Sequence, residues 1–195
     1  MNILTDMMPD WVTIEGKSYP VRTDFRVWLE FDKVIHSAEI KAEDKAVILF
    51  RLCFDSKNCR FLPSSPHAAM SALSNFYMCG HTEKSAENKS GNKCRVFSFE
   101  EDADYIYAAF LSQYGIDLVS IPYMHWYRFS ALFKGIDDGS RLMKIISVRA
   151  ADINSPANSG RQKYLRKMKE LYALSDTRTE EEREYDMAEA LSELF

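Results

Sequence analysis

Residues 98–149, SFEEDADYIYAAFLSQYGIDLVSIPYMHWYRFSALFKGIDDGSRLMKIISVR, constrain the fold more than any other part of the chain. Apolar and aromatic residues recur there at helical spacing between residues that start and stop helices, which predicts three consecutive core helices. Ser98 followed by Glu101 reads as a capping box, in which hydroxyl and carboxylate answer each other's unpaired backbone N–H groups, and Gly115 ends that helix. Ala103, Ile106, Tyr107, Phe110, Leu111 and Tyr114 form its stripe. Tyr105, Ala108 and Ala109 widen the stripe almost to a full circumference, so this helix is expected at the centre of its domain. Pro122 opens the second helix, where a missing N–H does no harm, and Gly135 closes it. Tyr123, Trp126, Tyr127, Phe129 and Phe133 are its anchors. The third, Ser140 to Arg149, buries Leu142, Ile145 and Ile146.

The flanking segments extend the pattern. Residues 1–10 carry no periodic signal and are expected to be a flexible leader. Val12, Ile14, Tyr19 and Val21 nearly alternate around Glu15-Gly16-Lys17, the signature of a short hairpin, with Pro20 marking an edge strand. Thr23 is placed to cap a helix carrying Phe25, Trp28, Leu29, Asp32 and Ile35 on one face. A further helix over 42–54 is expected to bury Val47, Phe50 and Phe54 or their neighbours, with Glu43 and Asp44 where the helix dipole favours anions. Ser65 and Pro66 start another, striped by Ala69, Met70, Leu73, Phe76 and Tyr77 and stopped at Gly80. HTEKSAENKSGNK, residues 81–93, contains nothing to bury and reads as a mobile loop. The expectation is a mainly α fold: one helical domain, 11–174, with a small N-terminal β-hairpin, followed by an acidic C-terminal helix within 175–195.

That C-terminal region changes in character. Arg161, Lys163, Arg166, Lys167 and Lys169 stand against Glu170 on a helix whose stripe is Tyr164, Leu165, Met168, Leu171 and Tyr172. Thr179 and Glu182 form a second capping box ahead of an acidic helix that finishes on Leu191, Leu194 and Phe195. Arg161, Lys163, Arg166, Lys167, Leu191, Leu194 and Phe195 are the candidate partner-binding residues, because an amphipathic helix at a chain end suits an apolar helix of a client or of a second copy. A homo-oligomer is therefore a further expectation. Folding of the acidic helix back onto its own domain is the competing expectation.

No constellation for chemistry survives inspection. Cys79, His81 and Cys94 lack the paired spacing of a zinc site, and Cys53, Cys59, Cys79 and Cys94 fit reduced thiols. Glu100, Glu101, Asp102 and Asp104 are explained by a first helical turn, and His125 by packing within an aromatic helix. There is no phosphate-binding glycine loop and no nucleophile elbow. The expectation is a protein that is not an enzyme and uses no cofactor and no metal. A net charge of −4 argues against nucleic acid as a general partner, although the basic helix with Tyr164 and Tyr172 carries the features such binding would use. No stretch of eighteen apolar residues occurs, so no membrane partner is expected.

Three sets of residues carry a family resemblance. IEGKSYPVRTDFRVW (14–28), the central strings DADYIYAAF (102–110), YGIDL (114–118) and HWYRF (125–129), and RKMKELYAL (166–174) together resemble the bacteriophage gene-product-fifteen family, in order, over residues 12–174. The resemblance implies a protein of tailed phages and prophages whose gene lies among tail genes near that of the tape-measure protein. It implies a non-catalytic tail-assembly chaperone that holds the tape measure while tail-tube subunits polymerise, so both are implied partners. It brings no catalytic residues. A structural tail component retained in the virion, and a nucleic-acid-binding phage regulator, are the alternatives. The expected location is the host cell cytoplasm, or the virion on the first alternative.

Overall fold

The computed structural model describes residues 2–55, 63–80, 95–152 and 159–175. Two strands and seven helices are present among them: β1 Trp11–Ile14, β2 Lys17–Pro20, α1 Phe25–His36, α2 Ala42–Cys53, α3 Pro66–Tyr77, α4 Ala103–Tyr114, α5 Trp126–Lys134, α6 Arg141–Ala150 and α7 Ser159–Leu171. The fold is mainly α with an N-terminal hairpin, as the patterning predicts.

β1 and β2 pair antiparallel, with Val12 opposite Tyr19 and Ile14 opposite Lys17. The turn residues Glu15 and Gly16 both have positive φ, 50° and 77°, the backbone twist that a two-residue hairpin requires. Val12 and Ile14 point into the core. Pro20 pairs with Trp11 at the end of the ladder, and its carbonyl accepts from the Asp55 N–H.

α1 is the first layer of the core and packs against α2 on one side and α5 on the other. Its cap is Asp24, whose carboxylate accepts from the Arg26 N–H, and not Thr23 as expected. Thr23 instead bonds the Tyr123 hydroxyl at 2.7 Å. α4 lies against α5 and α6, and α6 against α7, while α3 packs on β1 and α2.

Four helix-level expectations are corrected. Ser98 does accept from the Glu101 N–H, but the carboxylate that answers the Ser98 N–H belongs to Asp102, at 3.0 Å, and α4 begins only at Ala103. α4 is not apolar on all sides in its packing: Ile106, Ala109 and Phe110 are buried, but Ala103, Ala108 and Leu111 face outward. α5 starts four residues after Pro122, because 123–125 run extended beside 23–25. There the Phe25 N–H donates to the Met124 carbonyl and the Trp126 N–H to that of Thr23. That leaves Tyr123 half exposed rather than an anchor. On α2 the buried residues are Leu49 and Cys53, with Phe54 just beyond, and Val47 is 51% exposed.

The core is an aromatic column. Phe129 stacks on Phe25 at 4.9 Å and on Phe110 at 5.0 Å between ring centroids, with Trp126 at 5.6 Å. Trp28 stacks on Phe76 at 4.5 Å and lies 6.4 Å from Trp126. Both indoles are satisfied: Trp28 donates to the Arg22 carbonyl and Trp126 to that of Tyr77. Phe129→Ala, Trp126→Ala and Phe110→Ala should each lower unfolding free energy by about 3–5 kcal/mol, the range for emptying a buried aromatic site. Val47→Ala should change it by no more than about 0.5 kcal/mol, as exposed positions do. Chemical denaturation of the four variants checks the contrast; equal losses at Val47 and Phe129 would misplace the core.

Candidate functional site

Two places outside the aromatic column concentrate polar chemistry. The first is the exposed face of α7. Its N-terminal turn follows residues outside the described set, and its far end is held by α6. The Arg149 guanidinium donates through Nε to the Tyr172 carbonyl at 2.6 Å, through Nη1 to the Val96 carbonyl at 3.2 Å, and through Nη1 and Nη2 to both Asp102 oxygens at 2.6 and 2.9 Å. Asp102 is 1% exposed, so this is a buried, bidentate pair whose remaining lone pair takes the Ser98 N–H. The Arg141 guanidinium lies over the Tyr172 ring and donates to its hydroxyl. The Glu101 carboxylate accepts from the Ser175 N–H and hydroxyl at 3.0–3.2 Å. The chain thus leaves the described region at a fixed point, beside the first turn before α4.

On α7, Arg161, Lys163, Arg166 and Lys167 are all exposed, and none makes an ion pair among the described residues. These are four of the expected partner-binding residues. Leu191, Leu194 and Phe195 lie outside the described residues. The stripe of α7 is only partly covered: Leu165 and Met168 are half-buried, but Tyr164 is 59% and Leu171 67% exposed. Sequence reasoning assigned both to a packed stripe. Helical spacing shows which residues share a face, not whether a neighbour is there to cover it.

The second place is a cavity of about 610 Å³ between the C-terminal half of α1 and the segment 95–101, lined by Asp32, Lys33, His36, Arg95 and Glu100 among others. Asp32 is buried at its wall. Oδ1 accepts from the Tyr77 hydroxyl at 2.5 Å and lies 3.3 Å from His36 Nδ1, and Oδ2 takes Arg95 at 3.4 Å. Burial pushes the Asp32 carboxyl up, but the hydrogen bonds from His36 and Tyr77 outweigh it and hold it below the usual carboxylate range. The same bond to Asp32 raises the His36 imidazole. Lys33 and Glu100 pair at 2.6 Å across the rim. Every lone pair of Asp32 that faces protein is answered, so the cluster fastens α1 to the end of α3 and to Arg95. Sequence reasoning missed it, although the signal was present: a carboxylate on the apolar face of α1, four residues before a histidine.

The residues considered for chemistry take structural places. His125 caps α5, its Nδ1 accepting from the Tyr127 N–H while Nε2–H donates to the Pro9 carbonyl, so the ring is neutral, and burial lowers its proton affinity. Cys53 is buried, its thiol pushed up to about 12, and burial raises that of Cys79 as well, which keeps both from the reactive thiolate. Among the described residues no group of three His, Cys, Asp or Glu side chains stands close enough to hold a metal. No helix among them is long and apolar enough to cross a membrane. His81 and Cys94 lie outside the described residues.

Fold and surface together define a mainly α domain, with a hairpin at one end and an exposed basic helix at the other. A model of the bacteriophage Gp15 protein family matches residues 4–174, more than half of the chain, and the protein belongs to that family. It is a bacteriophage protein. No curated protein and no solved structure shows a significant match to the chain.

The two histidines should give opposite pH signatures. His36, with a raised folded value, contributes stability that is complete below the ordinary imidazole range near about 6.5 and is lost as pH rises through its folded value. His125, with a lowered one, weakens the fold as pH falls below that range, because the unfolded chain takes up a proton that the folded cap refuses. Melting temperatures should show His36→Gln most destabilised on the acid side, with the gap closing at higher pH, and His125→Asn gaining on the wild type as pH falls. Parallel profiles for all three proteins would contradict both assignments.

Proposed function

We propose that this phage protein is a non-catalytic tail-assembly factor, a chaperone for the tape-measure protein, working in the host cell cytoplasm. The observation that carries the reading is the state of α7. Two large apolar residues, Tyr164 and Leu171, stand uncovered on a helix whose outward cations are unpaired among the described residues, at the end of the family-matched region. Exposed apolar residues on an amphipathic helix are what a groove-and-helix contact with another chain consumes, and flanking cations give that contact orientation and rate more than affinity. A tape measure is a long, aggregation-prone client, and a surface helix able to pair with it while tube subunits assemble fits the family setting.

Non-catalytic action agrees with the polar groups that are present. Asp32, Asp102 and His125 are each engaged by internal hydrogen bonds. The exposure of Tyr164 beside four cations also favours a second reading, stacking on nucleic acid.

Co-expression with the tape-measure protein separates these readings. The wild type should co-purify with it, and Tyr164→Ser/Leu171→Ser should lose the client while keeping its melting temperature within a few degrees. Purified virions should contain no stoichiometric copy of the protein by mass spectrometry; a stoichiometric copy would make it a structural tail component. Retention of a phage DNA fragment with a steep salt dependence, and no client, would select the nucleic-acid reading.

A further inference from the structure

Two exposed helix faces of this chain carry the same spacing with opposite charges. On α7 the exposed residues Lys163, Tyr164, Lys167, Glu170 and Leu171 recur at i, i+1, i+4, i+7 and i+8, so they share one face. On α2 the exposed residues Asp44, Val47, Ile48 and Arg51 recur at i, i+3, i+4 and i+7. Each face thus sets a charge, then apolar surface, then the opposite charge seven residues and about 10 Å further along the axis. The order is cation then anion on α7, and anion then cation on α2. Lys163, Glu170, Asp44 and Arg51 make no ion pair among the described residues. Val47 and Ile48 are 51% and 38% exposed, and with Glu39, Ile40, Lys41 and Asp44 they line a groove of about 440 Å³. α2 rests on α1 and α3, and α7 on α6. Both faces are open in the folded chain, so the surface each one fits is the other face of a second molecule.

We propose that α7 of one molecule lies along α2 of another and parallel to it, with Tyr164 in the groove beside Val47 and Ile48. Parallel alignment sets Lys163 against Asp44 and Glu170 against Arg51. The antiparallel alignment would bring Lys163 to Arg51 and Glu170 to Asp44, like charges at both ends, which is disfavoured across an interface. Exposed ion pairs add little affinity, so burial of the apolar residues supplies the attraction and the charges supply the direction. The contact joins two different faces and is heterologous: a pair of molecules joined once still has one free α7 and one free α2, and growth ends only when a ring closes. That a client competes with the second copy for α7 rests on the function proposed above; the contact between copies does not.

Sedimentation velocity of the full chain over a concentration series tests the contact. The wild type should associate as concentration rises. Tyr164→Ser/Leu171→Ser and Val47→Ser/Ile48→Ser should each stay monomeric with near-wild-type melting temperatures, because all four side chains are exposed. Mixed in equal amounts, the two variants should form a dimer with one copy of each, since the first keeps its α2 face and the second its α7 face. Asp44→Lys and Lys163→Glu should each weaken association about tenfold, and the two reversals in one chain should restore it. A wild type that stays monomeric throughout, association of either serine variant alone, or a mixture that fails to dimerise overturns the proposal. Failure of the double reversal to restore association overturns its register. Val47→Ser/Ile48→Ser leaves α7 intact and should still co-purify with the tape-measure protein. Client binding by that variant beside a monomeric wild type would remove the contact and keep the proposed function, and association of the wild type without client binding by any chain would do the reverse.

Discussion

Phe129 is the residue on which the rest of the structure depends. Its ring is fully buried, with Phe25 of α1 on one face and Phe110 of α4 on the other, and Trp126 and Phe133 of its own helix along the column. Three helices far apart in sequence therefore meet through flat faces about 5 Å apart. Offset stacking adds a fraction of a kcal/mol to about 1.5 kcal/mol per pair beyond the area removed from water, and it also fixes how the helices are rotated. Rotating α5 by one residue would take Phe129 out of the stack and bring Arg128 or Ser130 in. The extended pairing of 123–125 with 23–25 prevents that rotation from the backbone side, since it sets where α5 begins.

Arg149 governs the periphery as Phe129 governs the core. One guanidinium joins α6 to the turn before α4, to the Val96 carbonyl and to Tyr172 just beyond α7. A buried pair of this kind need not stabilise the fold more than apolar residues of the same shape would. It does specify: only a planar, five-donor group reaches Asp102, Val96 and Tyr172 together.

Much of this organisation was legible in the chain. Ser65-Pro66, Ser140, Gly115 and Glu15-Gly16 mark boundaries because each solves a local backbone problem, and local problems are visible in a linear sequence. Where the sequence misled, a distant partner had taken the residue. Glu101 was assigned to the Ser98 box, but Ser175 holds it from 74 positions away. Thr23 was assigned to a cap, but Tyr123 holds it. Leu111 and Val47 have the spacing of core residues, yet about half of each stays exposed, because the number of neighbouring helices is a property of the fold and not of the helix. The exposed cations of the candidate site were legible for the opposite reason. Unburied charge needs no partner to explain it.

The same contrast bears on how α7 could act. Beyond its C-terminal end, Arg149 and Arg141 both contact Tyr172, while Tyr164 on the helix is 59% exposed. Local stability follows buried apolar contact, and elements with little of it open without unfolding the remainder. Releasing α7 would free the Tyr172 carbonyl to water but leave Arg149 paired with Asp102 and Val96, so no buried charge would be orphaned. Losing α5 in the same way would dismantle the aromatic column. The chain therefore joins a core whose aromatic contacts are mutually dependent to a helix that leaves Tyr164 and Leu171 largely exposed, and an element of the second kind exchanges neighbours with less loss to the fold.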